Sequence, residues 1–121
     1  MKTKIFLLFL ILLAFSVNVK AQFANEKFEI KLGEMGTFYI EFDETSYKLL
    51  NSMGDVCVAG DYKIENNIIQ FNDKVGPMAC AGDLGKYKFK LQDDELILEL
   101  VTDECTGRPQ MATAPWKKVK K

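Results

Sequence analysis

The sequence predicts an all-β domain, a small antiparallel up-and-down barrel of about eight strands, preceded by a cleavable signal peptide. Three observations support this: an apolar run at the amino terminus, a period-two alternation of apolar and polar residues after it, and no apolar repeat of helical length beyond residue 22. About a hundred residues follow the signal segment, which suffices for one hydrophobic core. We therefore predict two segments, residues 1–21 and a single domain over residues 22–121.

The amino-terminal segment has the three parts of a secretory signal peptide. Lys2 and Lys4 supply positive charge, residues 5–17 form an apolar run, and Val19 and Ala21 stand at the positions that signal peptidase reads. The apolar run has thirteen residues, whereas a membrane-spanning helix needs roughly 20. We therefore expect cleavage after Ala21, a secreted or periplasmic product, and no stable membrane anchor.

The clearest β-hairpin lies between residues 86 and 101. Two segments place apolar residues at every second position, and the Gln-Asp-Asp turn at residues 92–94 separates them. Alternate residues of a pleated strand share a face, so the hairpin has one buried and one wet face. The residues predicted to face inward are Tyr87, Phe89 and Leu91 on the first strand and Leu96, Leu98 and Leu100 on the second.

The same alternation predicts further strands upstream. They cover residues 27–32, 37–42 and 47–50, followed by a hairpin whose Asn66-Asn67 turn joins residues 62–65 to residues 68–71. A last short strand over residues 115–119 points Trp116 inward. Sequential hairpins with one polar face commonly hide their edges by closing into a barrel or by stacking as a sandwich, and of the two we expect the up-and-down barrel.

Two long connections carry two of the three cysteines. Cys80 and Cys105 flank the hairpin of residues 85–101, so the strands return the chain to the same end of the barrel at both positions. We predict a disulfide between them, which closes a loop of 26 residues and contributes about 3.5 kcal/mol by the chain-entropy estimate. Cys57 would face outward on a straight strand, but a bulge at Gly60 would turn it inward. Cys57 is then either a buried or half-buried free thiol or the site of an intermolecular disulfide.

Several kinds of chemistry are missing from the sequence. The chain has no histidine, the commonest general base and metal ligand, and its cysteines match no zinc-site spacing. The acidic pairs fall at predicted turns, where carboxylates bind backbone amides and water; they are Asp43/Glu44, Asp93/Asp94 and Asp103/Glu104. We therefore predict no catalysis, no metal and no cofactor.

The charge of the mature domain argues against nucleic-acid binding. Removing residues 1–21 takes away three lysines and leaves 13 basic against 17 acidic residues, a net charge of −4. Phosphate binding depends on clustered Lys and Arg. The lysine-rich tail at residues 117–121 is the only such group, and a tail of this kind commonly serves solubility. We predict no nucleic-acid partner.

The second half of the chain carries a set of short motifs. They are Gly-Pro-x-x-Cys at residues 76–80, Gly-x-Tyr at residues 85–87, Asp-x-Cys-x-Gly-Arg at residues 103–108, and a closing Pro115-Trp116. Over roughly residues 60–119 this combination resembles small secreted bacterial proteins described as lipocalin-like. The resemblance implies a calycin-type barrel, pairing of Cys80 with Cys105, and a family without an established biochemical activity. Lipocalins proper open with Gly-x-Trp, where this chain has Gly-Thr-Phe at residues 36–38.

These observations predict a binding protein. Our leading hypothesis is a barrel that takes a small apolar or amphipathic ligand; the alternative is an interaction or inhibitor-type module whose loops, residues 76–83 and 103–114, dock on a protein partner. Arg108 either forks around an anion or ties its loop to Asp103, Glu104 or backbone carbonyls. The aromatic residues either line a pocket or fill the core. The candidate ligand-binding residues are Phe38, Phe42, Tyr62, Tyr87, Phe89, Arg108 and Trp116.

Overall fold

The computed structural model describes residues 23–120, which form a closed barrel of eight antiparallel strands. Each strand pairs with the next along the chain, and the last pairs back with the first, so the predicted up-and-down barrel is confirmed. The predicted signal peptide lies outside the described residues. The strands are β1 (Lys27–Lys31), β2 (Thr37–Phe42), β3 (Ser46–Leu50), β4 (Val56–Glu65), β5 (Ile68–Val75), β6 (Leu84–Gln92), β7 (Glu95–Asp103) and β8 (Trp116–Lys118).

The two ends of the barrel differ in their connections. At one end, here the turn end, short turns join β2 to β3, β4 to β5 and β6 to β7. Asp93 and Asp94 both adopt positive φ, 51° and 62°, as a tight two-residue turn requires. The opposite end, here the loop end, carries the longer connections, including the 3₁₀ turns Gly33–Met35 and Arg108–Ala112. Neither of these turns, nor any other helix within residues 23–120, has the length and apolar character needed to cross a membrane.

Aromatic side chains fill the turn end of the barrel. Phe23, just before β1, is fully buried, and its ring packs edge-on against Phe42 and Phe89 with centroids 5.0 Å away in both cases. Tyr62 packs against Phe42 in the same manner at 5.1 Å. Offset and edge-to-face contacts of this kind stabilise a core beyond the area that they bury. The turn end is therefore closed by packed rings.

The hairpin of β6 and β7 confirms most of the predicted inward residues. Tyr87, Leu96 and Leu98 are buried, and Phe89 and Leu91 pack against the same core. Leu100 was predicted to face inward and this was wrong, since 46% of it is exposed. The register between the two strands shifts there, with Val101 as an extra residue in β7, and such a bulge breaks the alternation.

Cys57 is buried and unpaired, which matches the free-thiol alternative. Its inward position follows from a bulge, although not from one at Gly60. In β4 the residues opposite Leu49 and Leu50 are Val58 and Val56, so Cys57 itself is the extra residue. A second register shift, between Ala59 and Gly60, leaves its extra residue on β5 instead. The strand therefore buries two successive side chains, a pattern that strict alternation cannot produce.

Candidate functional site

A cavity of about 200 Å³ lies at the loop end of the barrel. Met35 and Met78 stand at its rim, each about half exposed, while Met111 and Trp116 are buried in its wall. Unbranched methionine side chains adapt to the shape of what they contact. Most of the lining is apolar; the lining residues are Leu32, Met35, Phe38, Tyr47, Leu49, Val58, Asp73, Met78, Cys80, Cys105, Gly107, Arg108, Gln110, Met111 and Trp116.

Trp116 fixes one wall of the cavity. It begins β8 opposite Leu96 and is completely buried. Its indole N–H donates a hydrogen bond of 2.8 Å to the backbone carbonyl of Met111. A buried indole needs such a partner. The bond therefore holds the 3₁₀ turn of residues 108–112 against the strand.

Arg108 enters the same region between two buried carboxylates. Its Nη1 donates to Asp103 at 2.8 Å, and its Nη2 lies 3.3 Å from Asp73. Nη2 also donates to the backbone carbonyl of Asp83 at 2.9 Å. The exposed fractions of the three side chains are 4% for Arg108, 0% for Asp103 and 6% for Asp73. The predicted tie of Arg108 to Asp103 and to a backbone carbonyl is thus present, and the guanidinium fork is occupied by the protein itself.

Each carboxylate receives the same two kinds of donor besides the arginine. The Tyr47 hydroxyl donates to Asp73, and the Tyr87 hydroxyl donates to Asp103. The backbone N–H groups of Cys80 and Cys105 donate to Asp73 and Asp103, respectively, both at 2.9 Å. We call this set of Tyr47, Asp73, Tyr87, Asp103 and Arg108 the ion-pair network.

The predicted disulfide is confirmed and lies beside the ion-pair network. Cys80 and Cys105 are bonded, with their Cα atoms 5.8 Å apart. Both cysteines line the cavity, and both give their backbone amides to the buried carboxylates. The two loops are therefore joined by a covalent bond and by charged hydrogen bonds at the same place.

The electrostatics of the ion-pair network follow from its burial. Desolvation, and then the hydrogen bond to a carboxylate, raise the pKa of Tyr47 and of Tyr87 far above the ordinary value of 10. Both hydroxyls therefore stay protonated and donate at neutral pH. Asp73 and Asp103 meet only donor groups, an arrangement that suits ionised carboxylates. With one guanidinium and two carboxylates the network carries a net charge of −1.

Gly85 makes room for the guanidinium. A Cβ atom at this position would collide with Arg108 Nη1 and with the carboxylate of Asp103. No bulkier residue fits beneath the ion pair without moving it. Arg108 Nε is enclosed as well, and it has no hydrogen-bond partner within the described residues.

The structure divides the candidate ligand-binding residues into three groups. Phe38, Arg108 and Trp116 line the cavity. Tyr87 belongs to the ion-pair network and does not line the cavity. The remaining three lie in the aromatic packing around Phe23 at the turn end; they are Phe42, Tyr62 and Phe89.

Sequence reasoning missed three polar residues of the cavity wall, Tyr47, Asp73 and Gln110. A signal for Asp73 existed, because it follows the buried Phe71 by two positions on a strand and alternation would place both inside. An aspartate at the end of an apolar strand looks like the start of a loop, and the predicted strand of residues 68–71 therefore ended before it, whereas β5 extends to Val75. Tyr47 was placed in a strand but not assigned to the site.

Comparisons of the chain with protein-family models, with curated proteins and with solved structures found no match. The site has therefore to be interpreted from its own geometry. That geometry combines an apolar cavity, a charged patch in its wall and a rim of half-exposed methionines. Pockets with a few polar groups in an apolar lining typically bind small molecules.

Proposed function

We propose that the mature chain is an exported, lipocalin-like binding protein that takes a small, mainly apolar molecule into the cavity at its loop end. The single observation that carries this proposal is the apolar cavity, whose wall holds a fixed polar patch at Asp73 and Arg108. The disulfide fits an oxidising compartment, where such bonds persist.

The volume of the cavity sets the size of the ligand. Drug-sized pockets measure about 300–1,000 Å³, whereas an apolar cavity of about 150 Å³ accepts benzene. A space of about 200 Å³ thus suits a ligand somewhat larger than benzene. Burying a six-carbon chain at about 0.8 kcal/mol for each methylene gives about 5 kcal/mol, or a Kd on the order of 0.1–1 mM.

Trp116 provides a direct measurement of binding. It is the chain's only tryptophan and lies in the cavity wall, so its fluorescence reports on occupancy. Titrating the exported protein with 1-hexanol is expected to change this fluorescence in a saturable manner. The absence of any saturable change, together with a native mass spectrum free of co-purified small molecules, would refute the proposal. The mass of the same sample checks the expected cleavage after Ala21.

Two Leu→Phe variants, one in the cavity lining and one outside it, test where the ligand binds. Leu32→Phe places extra volume in the cavity lining and is expected to weaken 1-hexanol binding at least about tenfold, since the added ring takes up the space that the ligand needs. Leu91→Phe makes the same change at a partly buried leucine of the turn end, outside the cavity. Binding by Leu91→Phe should match the wild type. Equal losses in both variants would place the ligand elsewhere.

A second candidate function is docking of a protein partner at the loop end. Among residues 23–120, most of the large apolar side chains that solvent reaches belong to this half of the barrel. Scattered exposed apolar residues are ordinary, but their concentration at one end favours an interaction surface. These residues are Met35, Met53, Val56, Val75, Met78, Leu84, Leu100 and Val101.

The two candidates respond differently to surface substitutions. Val75→Asp and Met53→Asp alter exposed residues that do not line the cavity. If a protein partner docks at the loop end, these variants lose a partner that wild-type protein retains in a pull-down from its host, while 1-hexanol binding is unchanged. Retention of every partner by both variants argues against docking here.

A further inference from the structure

We propose that the cavity prefers ligands that carry a positive charge, such as a protonated primary amine on a short apolar chain, over neutral ligands and over carboxylates. This inference rests on the proposed binding function and adds the charge of the ligand to it. It reverses the expectation that an arginine at a barrel mouth recruits an anion.

Arg108 is not available to grip a carboxylate. Its terminal nitrogens already face Asp103, Asp73 and the carbonyl of Asp83. Its remaining nitrogen, Nε, is enclosed. A ligand carboxylate would have to displace one of two buried aspartates, each of which is held by a tyrosine hydroxyl and a backbone amide. The two terminal nitrogens of the guanidinium are therefore not available for a bidentate bond to an anionic ligand.

The ion-pair network beside the cavity carries an excess of negative charge. Asp73 and Arg108 both line the cavity, and with Asp103 behind them the ion-pair network carries a net charge of −1. Charges in an enclosed site are weakly screened, so this excess acts on a ligand more strongly than surface charges do. It attracts a cation and repels an anion of the same shape.

Acceptors for an ammonium group are present in the same wall. The Tyr47 hydroxyl donates its hydrogen bond to Asp73, which leaves the lone pairs of the hydroxyl oxygen free to accept another. A carboxylate offers about four lone-pair sites, and Asp73 receives Tyr47, the Cys80 amide and Arg108. One further N–H can therefore be accepted there.

Aromatic residues in the cavity lining also favour a cationic ligand. Phe38, Tyr47 and Trp116 line the cavity together with Asp73. The faces of aromatic rings attract cations, most strongly when water is excluded. Three rings and a carboxylate in one apolar cavity are the combination that recognises ammonium groups, whereas none of the four attracts an anion.

Three ligands of equal length test the preference on the wild-type protein. They are hexylamine, 1-hexanol and hexanoate, titrated at pH 7 with Trp116 fluorescence as the readout. We expect hexylamine to bind at least about tenfold more tightly than hexanoate, with 1-hexanol between them. Hexanoate or 1-hexanol binding most tightly would overturn the inference while leaving the binding function intact. No binding by any of the three would instead overturn the binding function itself.

A pair of charge variants distinguishes the effect of the charge at the cavity from the effect of the protein's overall negative charge. Asp73→Asn brings the net charge of the ion-pair network from −1 to zero. Asp61→Asn removes one charge from an exposed residue that pairs with Lys74 outside the cavity. The ratio of hexanoate to hexylamine Kd values is expected to fall at least about fivefold in Asp73→Asn and to stay within about twofold in Asp61→Asn. Equal falls in both variants would assign the preference to overall charge.

The wild-type protein supplies an independent check if Asp73→Asn does not fold. In about 1 M salt the screening length is about 3 Å, so attraction by surface charge disappears while attraction inside a cavity largely persists. The preference for hexylamine should survive this change. Its loss would contradict the assignment to the cavity wall.

Discussion

The carboxylate of Asp73 lies 3.3 Å from the guanidinium of Arg108, and both side chains are almost fully buried. Asp103 holds the same guanidinium at 2.8 Å. The two disulfide-bonded cysteines donate their backbone amides to these carboxylates. The ion-pair network and the disulfide therefore fix three loop-end segments to one another: the end of β5, the loop that carries Cys80, and residues 103–108. A wall built in this way is rigid, which lowers the entropic cost of binding a ligand against it.

Removing one carboxylate from the ion-pair network is expected to be costly. Asp103→Ala leaves the Tyr87 hydroxyl, the Cys105 amide and part of the guanidinium without partners in a buried place. Breaking a buried ion pair in this way typically costs 3–5 kcal/mol, and we expect a loss of about 4 kcal/mol in the free energy of unfolding. Urea denaturation followed by circular dichroism measures it.

The control for this loss is an exposed carboxylate. Asp61 and Lys74 lie 3.7 Å apart with more than half of each side chain exposed, and pairs of this kind contribute about 0–1 kcal/mol. Asp61→Ala should therefore change the free energy of unfolding by less than about 1 kcal/mol. Similar losses for Asp61→Ala and Asp103→Ala would show that the network adds nothing specific to stability.

Glycine at position 85 is expected to be essential for the network. Gly85→Ala brings a methyl group into collision with Arg108 and Asp103, and overpacking of a filled site typically costs 1–3 kcal/mol. We expect a loss of about 2–3 kcal/mol, measured by the urea midpoint. Gly107→Ala is the matched control, because nothing lies within 4 Å of its added Cβ; its effect should stay within about 0.5 kcal/mol.

The barrel could be predicted because its strands are encoded locally. Period-two alternation in β6 and β7 assigned Tyr87, Phe89, Leu96 and Leu98 to the interior, and the structure places them there. The misplaced Leu100 shows the limit of this reasoning. A bulge depends on the register between two strands, which neither strand's own sequence reveals.

The site was harder to predict for a similar reason. Arg108 and Cys105 could be singled out as rare residue types on one loop, but Asp73 reaches them only because β6 pairs with both β5 and β7, which brings the loop end of β5 near that loop. Phe42, Tyr62 and Phe89 alternate as regularly as the cavity residues do. These three residues differ from the cavity residues in their position along the barrel axis, because they lie at the turn end, where the Phe23 ring fills the interior.

The disulfide is expected to contribute a large part of the stability of this small domain. Its loop spans a sequence separation of 25 residues, and loss of a native disulfide from a small secreted domain typically costs 2–5 kcal/mol. We expect dithiothreitol to lower the urea midpoint of the wild-type protein accordingly. A Cys80→Ala/Cys105→Ala double variant should start from the lowered midpoint and not respond to dithiothreitol. A wild-type midpoint that ignores reduction would contradict this prediction.

Alkaline pH is expected to destabilise the domain through its buried tyrosines. Burial, and then the charges of Asp43 and Glu44, raise the pKa of Tyr62 to about 12, and the pKa values of Tyr47 and Tyr87 are raised further. The unfolded chain ionises near pH 10, so stability is fully present below pH 10 and is lost as the pH rises through the folded values. Urea midpoints at pH 8 and pH 11 should show this decline.

Two measurements tie the alkaline decline to tyrosine ionisation. At pH 11 the absorbance of tyrosinate should be lower in the folded protein than in the urea-unfolded protein, because Tyr62 and the two network tyrosines keep their protons only when buried. Tyr62→Phe removes a hydroxyl that donates to the carbonyl of Asp43 at 2.6 Å, which should cost about 1 kcal/mol at pH 8. The same variant should lose less stability between pH 8 and pH 11 than the wild type does, because one of the three ionisations is gone. An unchanged decline would mean that groups other than Tyr62 set the alkaline limit.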